Sequence, residues 1–180
     1  MESARSAFAA ARYDHAVEAA SAVLKEQPSC LPVRHLLRAA QLKRVAEKSG
    51  CGRFMANVSS APFVLSGSLQ LKEQPLAAVA GADKLLLRDA DSVSALTLLG
   101  EAATVLGWNE TAVFAYEAAL ELAPDRLFLM LSLGHALLAV GRAPEAVKAA
   151  QRMLFDQPNN ADAQSLMRNA SVAVTMAKGK

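Results

Sequence analysis

Residues 93–126 read VSALTLLGEAATVLGWNETAVFAYEAALELAPDR, and residues 127–160 read LFLMLSLGHALLAVGRAPEAVKAAQRMLFDQPNN. Laid one above the other, the two stretches pair Leu99-Gly100 with Leu133-Gly134, Gly107 with Gly141, Ala112 with Ala146 and Pro124 with Pro158, always 34 residues apart. A constant period of this length marks a stacked array of helical hairpins, since one hairpin cannot bury its apolar face alone. Each unit ends on a proline, which pushes the residue before it out of the helical region and stops the second helix. Starts agree with stops: Asn109 precedes Glu110, and Pro144 with Glu145 opens the corresponding helix one period later, proline being tolerated in a first turn.

The spacing resembles that of the tetratricopeptide repeat family, which places a large residue at position 4, leucine at 7, glycine at 8, alanine at 20, an aromatic at 24, a small residue at 27 and proline at 32. Numbered from Val93, these positions hold Leu96, Leu99, Gly100, Ala112, Tyr116, Ala119 and Pro124, and all fit. Numbered from Leu127, they hold Met130, Leu133, Gly134, Ala146, Ala150, Met153 and Pro158, departing at 24 and, by size, at 27. The resemblance implies an all-α fold, a right-handed superhelical array of antiparallel helix pairs A and B. Gly100 and Ala112 are then small where A meets B, and Tyr116 fills the wedge toward the next unit.

Composition supports a helical reading of the whole chain. Its 180 residues are 53% hydrophobic but only 5% aromatic, with 38 alanines and no isoleucine, which favours helices over a large sheet. A net charge of +2, from 19 basic and 17 acidic residues, gives no field that recruits nucleic acid by itself. Two cysteines exclude a disulfide-framed secreted fold. Charged residues interrupt the first 20 positions, so no signal-peptide core is present in them and a cytoplasmic setting is expected.

Outward from the two clear units, the register weakens. Upstream, Glu2 to Ala11 and Tyr13 to Gln27 read as a helix A and a helix B ending at Pro28. Pro28 and Ala90, which hold equivalent positions, stand 62 residues apart where two units need 68. The expected division is a partial unit at 1–30, a degenerate or shortened unit at 31–58, then units at 59–92, 93–126 and 127–160, with a terminal helix over 161–178. Pro32 to Lys48 reads as a long helix A broken by Ser49-Gly50-Cys51-Gly52, and Pro75 to Leu87 as a helix B. Entering at position 5 of a unit and stopping at position 20 fits a piece of a longer protein, or a chain whose last helix caps the stack.

No catalytic constellation appears. His15, His35 and His135 have no partners at metal-ligand spacing, and no paired Cys-x-x-Cys or glycine-rich phosphate loop is present, so neither enzyme activity nor a cofactor is expected. Cys51 has only Arg53 nearby to activate it, which is weak support for a reactive thiol. The apolar run from Leu127 to Gly141 is shorter than the roughly 20 residues of a membrane span, so no transmembrane segment is expected.

Two functional readings remain. In the family that the chain resembles, helices A line a concave face whose positions 2, 5, 9, 12 and 13 receive a partner segment. Carried over, the candidate groove is Phe63, Gln70, Thr97, Glu101, Thr104, Phe128, Leu131, His135 and Leu138, an apolar strip carrying Glu101 and His135. It implies a noncatalytic protein-interaction scaffold that docks a peptide or helical segment through apolar anchors, with further chain or a second copy against the terminal helix. The alternative is a basic surface for an acidic polymer or acidic protein, built from Arg34, Arg38, Arg44, Lys48 and Arg53. At about 100° per residue the first four share an arc of roughly 120°, although Leu37 and Val45 lie in it too. No aromatic residues interleave with these cations, so nucleic acid is not an expected ligand.

Overall fold

A computed structural model describes residues 1–48, 71 and 73–178, and every regular element among them is an α-helix. In chain order these are α1 (Glu2–Ala9), α2 (Tyr13–Glu26), α3 (Leu31–Lys48), α4 (Pro75–Arg88), α5 (Val93–Val105), α6 (Asn109–Leu122), α7 (Leu127–Ala139), α8 (Ala143–Asp156) and α9 (Ala161–Lys178). The chain forms two compact units, residues 1–95 and 96–180. In the first, α2 packs on both α1 and α3; in the second, α7 packs on α6 and α8, and α9 packs on α8 and α7. These are the expected helix hairpins.

The turns inside the hairpins repeat as the sequence does. Ala11, Gly107 and Gly141 occupy the same position of the period and all have positive φ, at 54°, 71° and 79°. Following residues close back on the helix: Arg12, Trp108 and Arg142 donate their N–H groups to the carbonyls of Ala7, Ala103 and Leu137 at 2.9, 2.8 and 2.8 Å. These are Schellman closures, which satisfy carbonyls that a helix end leaves free. A glycine pays no steric penalty for that backbone; alanine does, so Ala11 is a locally strained version of the same turn. The turns that link one hairpin to the next also match: Cys30, Ser92, Arg126 and Asn160 donate to Gln27, Asp89, Ala123 and Gln157.

Small residues set how closely the helices of the second unit approach. A methyl group built on Gly100 of α5 would lie 2.6 to 2.9 Å from the Tyr116 ring of α6, and one on Gly134 of α7 would collide with Leu166 of α9. Ala102, Ala112, Ala119, Ala146 and Ala150 are fully buried beside them. Met130, Met153 and Ala163 form a further core where α7, α8 and α9 meet. In the first unit Ala4, Ala16, Ala20, Val33 and Ala40 play the same part.

The first unit departs from this scheme where α3 meets α4. Arg34 donates to Asp83 at 2.7 Å and to the Pro28 carbonyl at 2.7 and 3.0 Å. Arg38 donates to Ala90 O at 2.8 Å, Gln41 to Leu86 O at 3.0 Å and Arg44 to Leu87 O at 3.0 Å. Carbonyls at the C-terminal end of α4 are thus held by side chains of α3, where the helix dipole also favours cations. The expected units at 31–58 and 59–92 each call for a further helix within residues 49–74, most of which lie outside the described residues.

Two stability tests follow from this packing. Gly100→Ala should cost about 1–3 kcal/mol through overpacking, despite alanine's better helix propensity. In a Tyr116→Leu background the same change should cost less than about 1 kcal/mol, because the ring it meets is gone. Urea unfolding measures both, and strictly additive costs would rule out the contact as the cause. Asp83→Ala should destabilise by about 2–4 kcal/mol by leaving the buried Arg34 guanidinium with carbonyl partners alone, whereas Arg34→Met with Asp83→Leu should cost far less.

Candidate functional site

The candidate groove lies on α5 and α7 of the second unit, and its chemistry follows from the composition of these two helices. Apart from His135, Glu101 is their only charged residue; the rest are apolar, hydroxyl-bearing or glycine. α5 buries Leu96, Leu98, Leu99, Ala102 and Ala103, and α7 buries Leu129, Met130, Gly134, Ala136 and Leu137. What these helices leave accessible is therefore a small, defined set of side chains.

Phe128 is 55% exposed and Val105 53% exposed, both large apolar side chains held in water. Thr104 and His135 are exposed as well, and the Thr104 hydroxyl donates to Gly100 O at 2.8 Å. Thr97, Glu101, Leu131 and Leu138 are half-buried. Leu131 packs against the Met130, Met153 and Ala163 core, so it serves the fold as much as any groove. Phe63 and Gln70 lie outside the described residues.

Glu101 is the electrostatic centre of this set. Partial burial disfavours its ionised form and raises its carboxyl above the ordinary value of 4.5. Tyr116 reaches it from α6: burial raises the phenol, hydrogen bonding with Thr104 and with Ser132 lowers it, and the neighbouring Glu101 charge raises it further. One phenol hydroxyl thus lies among side chains of α5 and α7 and brings Glu101, Thr104 and Ser132 into one polar cluster. The sequence reading used Tyr116 only as a wedge and omitted Ser132. The available signal was the choice of tyrosine over phenylalanine, since a buried hydroxyl calls for partners.

The basic surface is overturned by burial. Arg34 is 3% exposed and Arg38 9%, and both are committed to α4 and its flanking carbonyls. Arg44 is half-buried on Leu87 O and 3.8 Å from Asp14. Arg53 and the Lys48 side chain lie outside the described residues, as does Cys51. Four cations share one arc of the helical wheel, yet three of them bind neighbouring groups instead of facing an acidic partner together. The repeat register held the better signal, because Arg34 and Arg38 stand where Leu96 and Gly100 stand in the unit from Val93, positions that pack inward.

A second ionic group links α6 to the start of α8. Arg142 donates to Glu145 at 2.6 Å and to Glu117 at 3.1 Å; the Glu145 contact chiefly raises the guanidinium and lowers the Glu145 carboxyl. This group is exposed and serves the fold. No helix among the described residues is long and apolar enough to cross a membrane, and no group of three metal-binding side chains occurs among them. On α9, Val172 and Met176 are exposed apolar residues.

Comparison with known proteins bears on the second unit most directly. The tetratricopeptide repeat family matches residues 107–170. These residues are tetratricopeptide repeats. The crystal structure of MamA protein superposes with a TM-score of 0.50 over 89% of this chain and 91% of that one, at 20% identity, which shows likeness of fold alone. No curated protein matches the sequence.

The sign of the Glu101 shift gives a pH test. A carboxyl raised in the folded chain binds its proton more tightly there than when unfolded, so between 4.5 and the raised value its contribution to stability falls as pH rises. Glu145, lowered by Arg142, acts in the opposite sense and loses its contribution as pH falls. Glu101→Gln should therefore melt higher than the parent at pH 7, by no more than about 4 °C because the site is half-exposed. The difference should close as pH falls toward 4.5. Thermal melts of both chains across this range check it, and a variant that melts lower at pH 7 would refute the desolvation account.

Proposed function

We propose that the chain is a noncatalytic scaffold that holds a segment of a partner protein against the exposed face of α5 and α7. Tetratricopeptide repeats serve protein interaction, and the observation that carries the site is Phe128. This aromatic stands more than half exposed on a helix whose other large apolar side chains are buried or half-buried. Exposed apolar groups rimmed by polar ones mark interaction surfaces, and aromatic anchors supply much of the energy at such contacts. Val105 and Leu138 extend the apolar part, while Glu101, Thr104 and His135 fix orientation through polar contacts. No chemical step is called for by this reading.

We infer too that the repeats are α1/α2, α3/α4, α5/α6 and α7/α8, followed by α9, with residues 49–74 inserted between the helices of the second. Identical linking turns after α2, α4, α6 and α8 favour this division, as does the direct bonding of α3 to α4. The acidic-polymer reading has no comparable support, since its central arginines are spent inside the first unit.

The test is a quantitative pull-down from the source cell with Phe128→Glu set beside the parent chain. Partner recovery should fall at least about tenfold, a loss of 1.4 kcal/mol or more. Helicity and urea midpoint should stay within about 0.5 kcal/mol, as for an exposed site. Undiminished capture by a folded Phe128→Glu chain would move the binding face elsewhere.

A further inference from the structure

The first unit contains a cleft that the partner-binding reading does not use. It encloses about 380 Å³ and is bounded by one face of α2, one face of α4 and Leu37 of α3. From α2 come Ser21, Leu24 and Lys25, spaced three and four residues apart as a single helix face requires, with Pro28 just beyond. From α4 come Leu76, Val79, Ala80, Asp83, Lys84 and Leu87, a stripe of the same kind. Walls of this sort, apolar with a few polar groups, are the usual build of a small-molecule site, and the volume lies in the usual range.

Three features say what kind of molecule fits. Leu24, Leu37 and Val79 are buried, while Leu76 at the edge is largely exposed, so the apolar lining continues to the mouth. Of the charged groups in the lining, Asp83 is already neutralised by Arg34. No ion pair among the described residues engages Lys25 or Lys84, which leaves two uncompensated ammonium groups beside the apolar wall.

We propose that this cleft binds an amphipathic monoanion, a hydrocarbon chain with a carboxylate head. Its chain lies along Leu24, Leu37, Leu76, Val79 and Leu87; its head accepts hydrogen bonds from Lys25 and Lys84. Burial of the chain supplies most of the affinity and the two ammonium groups fix polarity, so a cationic amphipath is rejected.

Decanoate is the probe, titrated into the full chain and followed by calorimetry and by the melting temperature. Binding should saturate at one site and raise the melting temperature with ligand concentration. Decanol, which lacks the charge, should bind at least about tenfold more weakly, or 1.4 kcal/mol. Lys25→Gln with Lys84→Gln should bring decanoate down to the decanol level and flatten its salt dependence. Ala80→Trp places bulk in the cleft from an exposed position, so the fold is kept while binding is lost. Absence of saturable binding overturns the proposal, as does binding that survives Ala80→Trp. Decanol binding as tightly as decanoate overturns it in favour of a groove for an apolar protein side chain.

Discussion

Helices of this chain meet over side chains no larger than a methyl group, and the remaining structure is arranged around that closeness. At Gly100 the Tyr116 ring occupies the volume that a Cβ would take, and at Gly134 Leu166 does so. Such contact makes up for a shortage of aromatic side chains: many weak dispersion contacts replace a few strong anchors. It also accounts for the abundance of alanine. A residue buried at zero exposure between two backbones has to be small, and alanine is small without glycine's entropic penalty in a helix.

The α3 and α4 pair solves the same geometric problem with the sizes exchanged. At the position held by Gly100 in the unit from Val93, α3 carries Arg38, and at the position held by Tyr116, α4 carries Ala82. The large residue of the pair is now on α3 and brings a charge. Burying it is tolerable because the guanidinium finds the Ala90 carbonyl, just as Arg34 finds Asp83 and the Pro28 carbonyl. Hydrogen bonds with fixed directions hold a register more strictly than apolar contact does. An interface of this kind keeps α3 and α4 aligned although 26 residues separate them in sequence, where the other hairpins are joined by three.

That exchange also marks the limit of what could be read from sequence. Glycines and prolines, whose backbone requirements are local, carry the period of 34, and the helices bounded from the sequence (α1 to α4 and α9) lie within about two residues of their observed ends. Gly107 and Gly141 were legible because the turn demands their φ, and Pro124 and Pro158 because they stop a helix. Arg34 was not, because its partner Asp83 lies 49 residues away and a helical wheel shows which side chains share a face without showing what stands opposite. For the groove, the register placed Thr97, Glu101 and Phe128 on helices A, but it could not say that Leu131 would be drawn into the Met130 and Met153 core. Exposure depends on neighbours, and neighbours are what a single period leaves out.

The Glu101 cluster shows how the fold and the proposed function pull apart. A carboxylate half-withdrawn from water, beside a buried phenol whose own ionisation it opposes, costs the isolated chain stability. A glutamine there would fill the same space without that cost. Stability alone therefore gives no reason for an acid at this position, whereas a cationic group brought by a partner would be stabilised more strongly in this partly dry setting than on an open surface. The same strain appears at Phe128, where an aromatic side chain in water gains nothing for the free chain. A polar and an apolar residue, each held in an environment unfavourable to it, are what the proposed docking of a partner on α5 and α7 rests on.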